Sequence, residues 1–254
     1  MKISIEILVE RVKQVLWGND IIVYLFGSIC LDDFKLGWSD IDILILTKDI
    51  ISEKQAKQLV NLRQTLLEEY KGNLYFRSFE GGILSINEFL SNKVERVVYW
   101  GTSGERIADN YCFDVFSTME LIDSGILIHG KDIRSQIQYP TYDKITEAVR
   151  NHYQSVRKYA VNTERNLYSV GWMLDIARCL YTLSEGKIIS KTQAGYWAIE
   201  NNFVPNVEVM NKALKIRENP LDYRDNTEVQ DWLEKLGPMI QEFADVLERR
   251  LNES

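Results

Sequence analysis

The chain has 254 residues, 45% of them hydrophobic and 26% charged, which allows one large domain or two small ones with an ample core. Its 37 acidic residues outnumber 30 basic ones, giving a net charge of −7 without a Lys/Arg block. That balance argues against a nucleic-acid partner and suits a small cationic one. The three scattered cysteines, Cys30, Cys112 and Cys179, indicate neither a disulfide framework nor a zinc site, and are expected as buried free thiols. Glu6 and Glu10 interrupt any N-terminal apolar leader, and no apolar run is long enough to span a bilayer. A cytoplasmic protein without a membrane partner is expected.

Ile5, Leu8, Val12, Val15 and Leu16 recur at helical spacing and predict an amphipathic helix that ends at Gly18-Asn19-Asp20. Ile21–Phe26 is a continuous apolar, β-rich run and predicts a buried strand. Gly27-Ser28 breaks it, and a short helix or loop follows. Ser39-Asp40-Ile41-Asp42 then opens a second strand, apolar from Ile43 to Leu46. Residues two apart in a strand share a face, so Asp40 and Asp42 are expected side by side. Such a carboxylate pair repels itself, and a divalent cation removes the cost. Mg²⁺ typically takes one or two carboxylates plus substrate phosphates. Gly27 lets backbone approach a ligand, and Ser28 adds a hydroxyl and an N–H near a helix start, where phosphate is favoured. The plainer alternative is a turn followed by two exposed acids.

The order Gly27-Ser28, then Ser39-Asp40-Ile41-Asp42, resembles the signature of the nucleotidyltransferase superfamily that includes DNA polymerase β. The resemblance implies an α+β fold: an N-terminal nucleotidyltransferase domain over residues 1–139, with a mixed sheet and helices, ahead of an all-α domain. It makes Asp40 and Asp42 catalytic metal ligands, and Gly27, Ser28 and Ser39 nucleotide contacts. Next in the chain, Ser52-Glu53-Lys54-Gln55 resembles a capping box, opening a helix with Ala56, Leu59, Val60, Leu66 and Leu67 on one face. Leu74–Ile86 reads as a strand or hairpin with Glu80 inside it, before Gly81-Gly82. An exposed acid at a turn would explain Glu80. The superfamily resemblance instead makes it the third carboxylate, as metal ligand, general base or both. Glu88 reads as a solvated residue of the next segment. Val94–Trp100 reads as strand or helix, 101–104 as a loop, Phe113–Ile122 as a helix and Leu121–Lys131 as a last strand. His129 reads as structural.

Gln138-Tyr139-Pro140-Thr141 is the linker candidate, because proline discourages helix on its N-terminal side. Beyond it the periodicity is helical, with helices expected at 143–160, 164–185, 190–202, 206–218 and 227–251 and a capping box at Ser190. Residues 140–254 thus read as a helical bundle. Within Arg178–Glu200, the arginine, then Gly186-Lys187-Ile188, Lys191 and Ala194 resemble the C-terminal helical domain of the streptomycin/spectinomycin adenylyltransferases. The resemblance implies that Arg178 and Lys191, with Lys187 as a weaker third, bind the ATP phosphates from this domain. Arg217 is a further cation on a later helix. The acidic antibiotic contact of those relatives falls on Tyr168 here. Trp172 and Asp175 stand in as candidates for stacking on, or pairing with, a cationic sugar, and read equally well as a core Trp and a helix-surface Asp. A base donated by the helical domain, as in the kanamycin nucleotidyltransferase type, would be Glu147.

Taken together, the resemblances imply Mg²⁺-dependent transfer of AMP from ATP to a hydroxyl of an aminoglycoside-type antibiotic, with pyrophosphate released. The acceptor is expected between the domains, and the enzyme as a monomer or homodimer. Two alternatives stay open. One is transfer to another acceptor, such as a lincosamide, a metabolite or a protein. The other is a non-catalytic, antitoxin-like module, against which the presence of both aspartates argues.

Overall fold

The computed structural model describes residues 1–101 and 104–253, so two residues of the loop expected at 101–104 lie outside the described residues. The chain divides into two compact units. The first comprises residues 1–34 and 39–139, and the second residues 35–38 and 140–254.

The first unit opens with α1 (Lys2–Val15), β1 (Ile21–Phe26), a 3₁₀ turn at Gly27–Ile29, β2 (Ile41–Thr47) and α2 (Glu53–Glu69). The Ser52 capping box forms as expected: its hydroxyl accepts from Gln55 N–H while the Gln55 side chain accepts from Ser52 N–H. Then come α3 (Tyr75–Ser78), β3 (Phe79–Ser85), α4 (Ile86–Ser91), β4 (Val97–Trp100), β5 (Arg106–Ala108), α5 (Val115–Ser124) and β6 (Ile126–His129). The strands form one mixed sheet in the order β5-β4-β3-β2-β1-β6, in which β2 and β3 run parallel and the other neighbours antiparallel. β1 is apolar throughout, and β2 is apolar from Ile43 to Leu46, because both faces are covered. Ile21, Val23, Leu25, Ile41, Ile43 and Ile45 join the core under α1 and α2. Ile22, Tyr24, Phe26, Leu44, Leu46 and Leu84 join a second core that includes Leu121 of α5.

Four expectations are corrected in this unit. The start of Leu74–Ile86 is a helical turn, α3, because buried Phe76 packs between Tyr70 and Phe79 while Arg77 faces water. Glu88 is buried, not solvated: its carboxylate accepts from the backbone N–H groups of Ser85, Glu95 and Arg96 and so closes the α4 cap. Leu121–Ser124 belongs to α5, so the last strand is shorter than the sequence suggests. Cys112 is exposed and Cys30 partly so, leaving Cys179 as the buried thiol.

The second unit is helical: α6 (Tyr142–Tyr159), α7 (Tyr168–Glu185), α8 (Lys191–Glu200), α9 (Val207–Glu218), α10 (Pro220–Tyr223), α11 (Thr227–Leu233) and α12 (Gly237–Glu253). The helix expected at 227–251 is therefore two, broken before Gly237-Pro238, where proline interrupts the hydrogen-bond ladder. The expected 164–185 helix begins later, at Tyr168. Buried Val170, Leu174, Ala177 and Leu180 make α7 the central helix, packed on α6, α8, α9 and α12. Lys35–Trp38 join this unit. Arg224 Nη2 donates to Gly37 O at 2.6 Å, the Arg217 guanidinium sits 5.0 Å over the Trp38 ring, and Tyr168 meets the same ring edge-on at 6.3 Å.

Candidate active site

The sheet brings two of the predicted carboxylates together. In the parallel β2/β3 pair Asp42 stands beside Glu80, and in the antiparallel β1/β2 pair it stands opposite Phe26, the residue just before the Gly27 turn. Asp40 lies two residues upstream of Asp42, directly before β2 begins at Ile41. Gly27 adopts φ 70°, and a Cβ there would overlap Asp42 Oδ2. The position requires glycine on both counts, conformation and room. Ser28 follows at the start of the 3₁₀ turn. Its Oγ is buried and has no hydrogen-bond partner among the described residues. Buried hydroxyls nearly always have one, so this O–H could donate to an acceptor atom of a ligand. Ser39 is buried directly before Asp40.

Glu80 is not left solvated at a turn. The Tyr99 hydroxyl donates to its carboxylate, and the Arg106 guanidinium lies 4.1 Å over the Tyr99 ring. Burial raises the Tyr99 phenol well above its ordinary range, and the neighbouring Glu80 charge adds to the effect. Tyr111 covers Gly82 on the same side of β3, where a Cβ would strike the Tyr111 ring, and burial raises that phenol too. Neither tyrosine was singled out by the sequence reading, although the glycine pair after Glu80 signals that something approaches the strand closely. The Cys30 thiol is pushed up to about 11 chiefly by burial, with the nearby Asp42 charge adding to the effect.

Among the described residues no three His, Cys, Asp or Glu side chains meet in a metal-holding group. Asp40 and Asp42 could each offer hard oxygen donors of the kind Mg²⁺ takes when phosphate oxygens complete its shell. The glycine that clears space at Asp42 and the unpaired Ser28 hydroxyl fit the same use.

In the helical unit, Asp175 and Arg178 share a face of α7 at i,i+3 spacing. Gly186 ends α7 in the left-handed conformation, and the Ser190–Gln193 capping box starts α8. Lys191 is then the first residue of that helix and its ammonium returns to α7. Asp175 Oδ2 accepts from Lys191 Nζ at 3.1 Å and Oδ1 from Arg178 Nη2 at 3.4 Å, while His152 Nε2 lies 3.9 Å away. Burial by itself would raise the Asp175 carboxyl. The charges of Lys191, Arg178 and His152 outweigh it and bring it down to about 2. The structure thus joins three predicted residues, Arg178, Lys191 and Asp175, in one cluster. Trp172 is half-buried with its ring 6.2 Å from that of His152. Lys187 and Glu147 are exposed, and Arg217 is buried over Trp38.

Residues 5–80 match the model of the nucleotidyltransferase domain, and residues 140–250 match that of the aminoglycoside adenylyltransferase C-terminal domain. Among solved structures the fold is similar to that of the spectinomycin adenyltransferase AAD(9) from Enterococcus faecialis, crystallised with ATP and spectinomycin. The TM-score is 0.63 at 14% identity, over 95% of this chain and 99% of that one. No curated protein matches the chain.

Proposed function

We propose, for a chain that belongs to the aminoglycoside nucleotidyltransferases, the transfer of AMP from ATP to a hydroxyl of an aminoglycoside-type antibiotic. The observation that supports this most is the pairing of Asp42 with Glu80 across β2 and β3, beside a glycine turn that only glycine can make. The acceptor oxygen bonds to the α-phosphorus, the bond from that phosphorus to the bridging oxygen breaks, and pyrophosphate leaves. The hydroxyl proton passes to Glu80. A carboxylate in this role acts through placement, and the Tyr99 hydroxyl fixes the group. Ser28 and Ser39 hold phosphate oxygens near the turn. Arg178 and Lys191 bind the remaining phosphate charge, with Lys187 at the margin. Asp40 and Asp42 would hold Mg²⁺, which when bound offsets charge on the attacking and leaving oxygens. With ATP as co-substrate, the reading places the enzyme in the cytoplasm.

The test is mass spectrometry of the chain with ATP and an aminoglycoside panel headed by spectinomycin, the ligand of the structural relative. One acceptor is expected to gain the mass of a single AMP. Asp40→Asn is expected to lower turnover by at least about a hundredfold with unchanged circular dichroism. Near-normal transfer by a folded Asp40→Asn chain would overturn the reading.

A further inference from the structure

We infer that Asp175 is a positioning residue whose carboxylate gathers Arg178 and Lys191 into a single phosphate-binding pair. This rests on the proposed function, which gives those two cations the ATP phosphates. The cations come from different helices, Arg178 from α7 and Lys191 from the first turn of α8. Each has a long side chain with many rotamers, and like charges repel at short range. Asp175 lies in contact with both: Oδ1 is 3.4 Å from Arg178 Nη2 and 3.1 Å from Lys191 Nζ, and Oδ2 is 3.1 Å from Lys191 Nζ. Its side chain is 13% exposed, so the attraction is only weakly screened. Two cations and one anion leave a net positive charge for a phosphate, already held in one arrangement.

The same geometry argues against Asp175 as a direct partner for a cationic sugar, since both its oxygens already face cations. It also sets two physical effects against each other. A carboxylate beside a phosphate site repels the ligand, so by Coulomb's law alone its removal should tighten ATP binding. If positioning dominates, removal should weaken it. The sign of the change decides between them.

The experiment is calorimetry of ATP binding to the full chain without acceptor, together with steady-state kinetics. Asp175→Asn is expected to weaken ATP binding about tenfold, with kcat at saturating ATP within about threefold and the acceptor KM unchanged. In a Lys191→Gln background the same substitution is expected to cost little more, because the residue acts through its partners. Asp175→Glu keeps the charge and guards against an Asn variant that fails to fold. It is expected to shift ATP affinity by about threefold and to leave the acceptor KM alone. Unchanged or tighter ATP binding by Asp175→Asn, or a change confined to the acceptor KM in either variant, would overturn the inference. Arg178→Gln and Lys191→Gln test the underlying reading separately. If both bind ATP normally, the phosphate assignment itself fails. If both weaken binding while Asp175→Asn does not, the positioning role alone fails.

Discussion

Ser28 carries two opposed demands in one atom. Its Oγ is buried without a partner among the described residues, which costs the fold free energy, and it sits where the proposed reaction places a phosphate oxygen. Ser28→Ala is therefore expected to hold or raise stability, by up to about 1 kcal/mol, while raising the KM for ATP. Thermal melting and kinetics on the same sample read both effects, and a loss of stability would mean the hydroxyl is engaged in the fold. Asp175 makes the converse case of a polar group held by its neighbours. Its folded pKa of about 2 lies below the ordinary aspartate value. A lowered carboxyl pKa stabilises the fold above the unfolded value, and that contribution is lost as pH falls through the folded one. The window here runs from about pH 4 down to 2, and the contribution is roughly 2 kcal/mol. The gap in urea stability between wild type and Asp175→Asn should close across that window and stay constant above it.

Elements were legible where one local rule decides them. The β1 run Ile21–Phe26 reads directly because alternate residues feed two different cores, so every position is apolar. The caps at Ser52 and Ser190 read directly because their partners are three residues away. Strand alternation predicts Asp40 beside Asp42, but β2 begins only at Ile41, so the rule reaches Asp42 and not Asp40. What escaped depends on distant partners. Glu88 looks like any acid in a polar segment, yet three backbone N–H groups converge on it, two of them from beyond α4. Those donors hold its carboxyl below the usual range although burial pushes the other way. Tyr99 reaches Glu80 only through the β3/β4 pairing, and Lys191 reaches Asp175 only through the turn between α7 and α8. The three-residue β5 has too short a pattern to register. Glu88→Ala is expected to destabilise the chain by about 2 kcal/mol or more, since it removes a cap and strands buried donors. Denaturant melting would show it, and a cost near zero would mean water replaces the carboxylate.

At the scale of the molecule, an overall charge of −7 coexists with a local cationic pair assigned to phosphate. Under the proposed function, recognition of ATP would depend on a few partly buried contacts and not on a broad positive field. Among the described residues no helix is long and apolar enough to cross a membrane.

The four residues Lys35–Trp38 carry a consequence for how such a chain can be recombined. The stretch that matches the nucleotidyltransferase domain, 5–80, runs straight through them, yet their contacts belong to the helical unit. A gene fusion that joined the first 139 residues to a foreign helical partner would bring along Trp38 without Arg217 or Tyr168 to cover it. Expressed alone, residues 1–139 are expected to be less soluble than the full chain, and Trp38→Ser should restore part of that solubility, as light scattering would show. Equal solubility of fragment and full chain would speak against this. Exchange of the whole helical unit between relatives then requires three crossovers, one at the linker and one on each side of Lys35–Trp38.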